Sequence, residues 1–278
     1  MKRCAVGLDW VGNEVGWAFC RVGIDGGNIT FGTVPADNPL CSPIVHDAVK
    51  IVVDAPIGLP DGSAIGCKCR PCDLGAKAIT GAELLSSVFP VPYRAELDEW
   101  RRRREERLAQ QQGHFRGLLP AIHSADLLRQ ARAQDVAESH PEVVVALMSG
   151  GWLPKKAGKK TLFGSLVRLG ALHDAGLTVS LADIASLPTG KGAADDYLDA
   201  AIMAVVAQKW AQRRDVGVIK SSAGHIESFS DASLAAGHLM MVPWAADTEK
   251  EAPRELGDGK LLMLADKWAG IQKTAAQP

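Results

Sequence analysis

The chain has 278 residues, 47% hydrophobic and 23% charged, a balance that suits a folded globular protein with a substantial core. A formal net charge of −1 argues against a protein that holds polyanions by bulk charge. No run reaches the roughly 18 apolar residues of a membrane span, and the apolar stretch after Lys2-Arg3 is too short to read as a signal peptide, so the six cysteines are expected reduced, the protein cytoplasmic, and no membrane a partner.

Ala5–Leu8 is apolar and closed by Asp9; the turn Gly12-Asn13-Glu14 and a second apolar run, Val15–Val22, complete a hairpin pattern. Ile29–Val34 reads as a third strand of the same meander, and Ala36–Pro43 as a loop. His46–Val49 reads as the end of a short helix and Lys50–Asp54 as a strand. Asp54 is placed like Asp9: an apolar run leads to it, and Pro56 and Pro60 stop further strand pairing. An acid at the end of a buried strand needs a cation, a partner or water, and in α/β sheets ligands gather outside strand ends. A turn or cap is the plain alternative.

Cys67, Cys69 and Cys72 form C-x-C-x2-C, one thiolate short of a structural zinc site, with Cys41 as the nearest fourth ligand. The alternative is three reduced cysteines at the start of a helix through Asp73–Ile79. Glu96–Gln112 predicts an exposed charged helix carrying the basic block Arg101–Arg104 and Arg107. Gly117–Arg132 predicts another, with Leu118, Leu119, Ile122, Leu127 and Leu128 as its apolar stripe. His140-Pro141-Glu142 enters the apolar run Val143–Leu147, with Glu142 either a helix cap or a functional acid.

Lys155, Lys156, Lys159 and Lys160 make a second basic block before a helix from Thr161 to Ala175, capped by Thr161 and closed by Gly176. Each basic block reads as a solvated face or a phosphate contact. Val179–Leu181 predicts an edge strand, and Asp195 the N-cap of a long helix to about Arg213. Asp196 and Asp199 share one face of its first turn, and the apolar run after Asp199 turns that residue inward. Val216–Ile219 reads as a short strand, Gly237–Trp244 as a further apolar piece and Leu261–Ile271 as a terminal helix. With no repeat and no clear linker, one domain over residues 1–278 is expected, 215–278 being a C-terminal extension.

Two carboxylates about 4 Å apart repel by roughly 4 kcal/mol at an effective dielectric near 20. Several gathered in one place therefore demand protons or cations. Oxygen ligands from Asp and Glu suit Mg²⁺ or Mn²⁺, not zinc. Two such ions, about 3.5–4 Å apart, can activate water and stabilise the leaving oxygen in phosphodiester cleavage.

The segments GLDWVGNEVGW, DAPIGLP, RPCD with SSVFPVP, SHPEVVVAL, KKTLFGSLVR and DDYLDAAIMAV, in that order, resemble the domain of unknown function 429 family, whose members are described as predicted nucleases of the ribonuclease H-like fold. The resemblance implies an α/β fold, a ribonuclease H-like mixed sheet in which an antiparallel meander is followed by parallel strands, with helices on both faces. On such folds the acids come from the first strand, the fourth strand and the last helix. That implies Asp9, Asp54, Glu142 and Asp196 as metal ligands, with Asp199 an alternative or additional one. The D-x-x-D-A of the last helix is also similar to that of Holliday-junction resolvases. One departure is Lys77, where the family pattern often has arginine after the element formed here by Arg70 and Asp73; a charge is kept but bidentate phosphate binding is lost.

The expected activity is divalent-metal-dependent hydrolysis of DNA or RNA. His140 would aid proton transfer, and Arg70, Lys159, Lys160 and Arg168 would meet phosphates. The rival is a non-catalytic ribonuclease H-like module that binds nucleic acid or a protein partner.

Overall fold

The computed structural model describes residues 3–27, 29–61, 70–80, 88, 90–105, 117–188, 190–219, 222, 225–229, 240–243 and 254–255. Cys67, Cys69, Ser86, Ser87, Phe89 and the expected helix Leu261–Ile271 lie outside them. Five strands make the central sheet: β1 (Cys4–Gly12), β2 (Gly16–Gly23), β3 (Thr30–Val34), β4 (Ala48–Val53) and β5 (Val136–Glu138), in the spatial order β3-β2-β1-β4-β5. The first three form an antiparallel meander, and β4 and β5 add to β1 as parallel strands. This is the expected mixed α/β sheet, consistent with a ribonuclease H-like arrangement.

The helices are α1 (Pro43–His46), α2 (Pro71–Thr80), α3 (Arg94–Glu105), α4 (Leu119–Ala131), α5 (Pro141–Ser149), α6 (Leu162–Asp174), α7 (Leu181–Ala185) and α8 (Ala194–Gln212). Side chains alternate across a strand, and β1 shows what that does here. Cys4, Val6 and Leu8 join a core with Ala121, Ala125 and Leu128 of α4. Ala5 faces the other way, into the larger core built around α8, α5 and α6. By the same alternation Gly7 and Asp9 stand on the α8 side, as does Asp54, two positions beyond Val52 of that core.

Gly7 is what lets α8 lie so close. A Cβ there would stand 2.1 Å from the Ala200 carbonyl oxygen and 2.2 Å from the Ala204 nitrogen, both backbone atoms that cannot swing aside. The far end of α8 is fastened by Gln208 Nε2 donating to the Gly23 carbonyl at 2.7 Å and Gln212 Nε2 to that of Ile24 at 2.5 Å. Tyr197 through Ala207 are buried without a break, so the helix is a central strut, as its composition predicts.

Several local expectations are corrected. Asp9 does not end β1, which runs on to Gly12 with Asp9 opposite Ala18; what ends there is the parallel ladder with β4, at Leu8 and Val53. Ala48 and Val49 already belong to β4, the short helix being Pro43–His46. Val179–Leu181 is no strand: Ser180 caps α7 reciprocally with Asp183, which takes Leu181 into the helix. Ala193, not Asp195, is the N-cap of α8. Nor is α3 wholly exposed, because Leu97 and Trp100 pack with Ile122 of α4.

Beyond α8, β7 (Val216–Ile219) pairs with β8 (Ile226–Ser228) and β9 (Met240–Pro243), while β6 (Gly151–Trp152), which follows α5, pairs with β10 (Arg254–Glu255). Val216, Ile219 and Met240–Val242 share the α8 core, and Ser139 Oγ donates to the Met241 carbonyl at 2.5 Å. These parts of the C-terminal extension are packed onto the main sheet.

Gly7→Ala is therefore expected to destabilise the protein by about 3 kcal/mol or more, read by urea denaturation. A change under about 0.5 kcal/mol would show that α8 does not depend on that close approach.

Candidate carboxylate site

The parallel strands end in step. Asp54 N–H donates to the Leu8 carbonyl at 2.9 Å and Ser139 N–H to the Val53 carbonyl at 3.0 Å. Asp9 and Asp54 thus occupy adjoining positions just past the last paired residues, on the face that α8 covers. Asp9 is only 2% exposed, and its Oδ2 has no hydrogen-bond partner. Burial, then the negative charges of Asp54 and Asp199, hold its carboxyl well above the usual carboxylate range. Asp54 is raised as well, by burial and by Glu142 and Asp199, against the opposing pull of His140.

The next acid comes from the turn after β5. His140 takes the N-cap position of α5, Pro141 opens the helix, and Glu142 falls in its first turn, where the helix dipole favours an anion. Glu142 does not cap. Its Oε2 stands 3.2 Å from His140 Nδ1, and its Oε1 accepts from Arg168 at 3.3 Å. Burial works against its charge, but His140, Arg168 and Lys159 outweigh burial and hold it down at about 2.

The cations come from α6 and the loop before it. Thr161 caps α6 as predicted, its Oγ1 accepting from Gly164 N–H and donating to the carbonyls of Lys156 and Gly158, each at 2.9 Å. Gly164 lets that loop sit on the helix, since a Cβ would meet the Gly158 carbonyl oxygen at 2.1 Å. The loop, so fixed, turns Lys159 inward. Its Nζ lies 3.1 Å from Asp199 Oδ2, while Arg168 Nε donates to Asp199 Oδ1 at 2.8 Å. Asp199 and Arg168 are both 0% exposed. Burial opposes the charge on Lys159, and Asp199, Asp9 and Glu142 outweigh it, keeping the ammonium protonated.

The structure thus gathers Asp9, Asp54, Glu142 and Asp199, with His140 beside them. Asp196 stands one turn before Asp199 and takes a different task, its Oδ2 accepting from Ala193 N–H at 2.9 Å. Burial raises its carboxyl despite that bond. Among the described residues, no three His, Cys, Asp or Glu side chains surround a common point that could hold a metal ion by themselves.

Two expected phosphate contacts are corrected. Arg168 is sealed in, bridging Asp199 and Glu142. Arg70, 2% exposed, is also an internal hub: its side chain donates twice to Asp73, twice to Glu138 and once to the Ile57 carbonyl, which uses all five of its N–H groups. Glu138, which the sequence reading passed over, also accepts from Ile57 N–H at 2.7 Å and so ties the Pro-rich segment after Asp54 to β5. Its signal was an acid ending an apolar strand, the same pattern as Asp54. Lys159 is half-buried on Asp199, whereas Lys160 is exposed. The arginine block of α3 is largely paired within the protein, Arg102 and Arg103 to Glu99 at 2.8 and 2.6 Å, Arg101 to Asp126 at 2.5 Å, and Arg104 to Asp37. Cys72 is buried beside Asp73, and burial pushes its thiol up.

Fold and site together define a mixed α/β protein with buried acids clustered at the carboxyl ends of its parallel strands. Residues 7–219, most of the chain, match the family described as Protein of unknown function (DUF429), and the chain belongs to that family. No curated protein and no solved structure matches it.

Two stability measurements test this electrostatic description. An acid whose folded pKa is raised lowers stability above its ordinary value of 3.8, increasingly as pH climbs towards the folded value. Asp9→Asn is thus expected to raise the melting temperature in EDTA by about 3 °C at pH 8 and by less at pH 5; a loss at both pH values would contradict the unbalanced charge. Arg70→Met should cost about 3–5 kcal/mol, since it strands Glu138 and Asp73. Unchanged stability with weakened nucleic-acid binding would restore Arg70 as a phosphate contact.

Proposed function

We propose that this protein is a divalent-metal-dependent nuclease that hydrolyses phosphodiester bonds of DNA or RNA at the carboxylate cluster. The observation that carries this reading is the buried, partnerless Oδ2 of Asp9 beside Asp54. Of the four carboxylates, Asp199 and Glu142 are met by the fixed cations Lys159 and Arg168, which leaves Asp9 and Asp54 without a cation in a low-dielectric place. Mg²⁺ or Mn²⁺ fits that deficit, and these hard cations are commonly held by one or two carboxylates, with water and phosphate supplying the rest.

Asp9 and Asp54 would hold the ion, whose chemistry is the activation of water and the neutralisation of phosphate charge. Glu142, kept ionised by His140 and Arg168, is the acceptor that orients an attacking water, and His140 at its side exchanges the proton. Arg168 fixes Asp199 and Glu142 in place. Lys160, exposed next to Lys159, meets the substrate backbone. Among the described residues no helix is long and apolar enough to cross a membrane, and Cys4, Cys20, Cys41 and Cys72 are free thiols, which is compatible with a cytoplasmic site of action.

The test is incubation with labelled single-stranded, duplex and branched DNA and RNA in Mg²⁺, Mn²⁺ or EDTA. Cleavage is expected only with metal, and Asp9→Asn or Asp54→Asn should lower it by about 100-fold or more. Tight binding of these substrates without metal-dependent cleavage would favour the non-catalytic module instead.

A further inference from the structure

We propose that Lys159 stands in for one of the two metal ions that a four-carboxylate site would otherwise take, so that this site holds a single divalent cation at Asp9 and Asp54. The inference rests on the nuclease reading above and narrows it.

The argument begins with which oxygens remain. Asp199 Oδ1 is taken by Arg168 and Oδ2 by Lys159; Glu142 Oε1 is taken by Arg168, and Oε2 faces His140. Asp196 Oδ2 is engaged by a backbone N–H. Among the four gathered acids, what remains is Asp9 Oδ2, 98% withdrawn from solvent with its residue and without a partner, and the Asp54 carboxyl beside it. Two carboxylates suit one hydrated Mg²⁺ or Mn²⁺, and they are too few for a pair of ions, which needs a bridging acid and at least one more on each side.

Charge leads to the same count. Lys159 and Arg168 serve Asp199 and Glu142, so the acids left without a cation are Asp9 and Asp54, and one divalent ion balances that pair once both have lost their protons. A second ion would have to take Asp199 from Lys159 and sit beside an ammonium that the loop presses into the site. That loop is fastened by Thr161 and by the glycine at 164, and Arg168 Nη1 reaches back to its Ala157 carbonyl at 3.4 Å. The lysine is held there by the fold. Unlike Arg168 it is about a third exposed, so its charge also faces incoming phosphate.

The test is calorimetric and spin-resonance titration of the full chain with Mn²⁺ alone. The wild type should bind one ion per chain, Lys159→Met two close enough to broaden each other's signal, and Lys159→Arg one. If Lys159→Met does not fold, by circular dichroism, Lys159→Gln replaces it. Two bound ions in the wild type overturn the proposal, whatever the variants do. One ion in the wild type and still one in the folded neutral variants also overturns it, while leaving the nuclease reading intact. No Mn²⁺ bound to any form overturns both.

Discussion

Everything in the site follows from how four acids are kept together in a place with little water. Alone they would repel one another, and the fold answers with two cations of its own. Arg168 and Lys159 neutralise Asp199 and lean on Glu142, which leaves Asp9 and Asp54 as the unbalanced pair. The arrangement is possible because α8 presses onto β1 at Gly7, one pleat before Asp9, and delivers Asp199 to the same face. Charge and packing are thus one constraint seen twice.

The division of labour among the basic residues shows how a chain of net charge −1 could serve the polyanion that the proposed activity requires. Its arginines are mostly structural. Arg70 ties Asp73, Glu138 and Ile57 together next to the site, and the run on α3 pairs with Glu99, Asp126 and Asp37. What the proposed site would offer a phosphate is local: a Lys159 about a third exposed, an exposed Lys160 and the charge of the proposed cation.

Much of the sheet is legible in the sequence because four of the five central strands carry their own period and punctuation, whereas β5, at three residues, is too short to show either. The hairpin of β1 and β2, the third strand, the cap at Thr161 and the buried long helix are all written locally. The convergence of Asp9, Asp54, Glu142 and Asp199 is legible as four acids at strand or helix ends. Partner choice is not. Arg168 lies within LFGSLVRLGAL, whose apolar neighbours announce that the guanidinium will be buried, and a buried guanidinium takes carboxylates before it takes substrate. The same reasoning applies to Arg70, whose partner Glu138 lies 68 residues away and so leaves no spacing to read. Tertiary context decides the finer points: Ser180 looks like strand until Asp183 completes its cap, and Asp195 yields the cap to Ala193 because Asp196 bonds back to that residue's N–H.

The central claim is that Asp9 and Asp54 form a cation site, and crystals of the protein grown with Mn²⁺ would test it most directly. An anomalous difference map should show a single peak between those two carboxylates, with Lys159 still on Asp199. No peak there, or Asp9 and Asp54 turned apart with each satisfied by its own surroundings, would contradict the account.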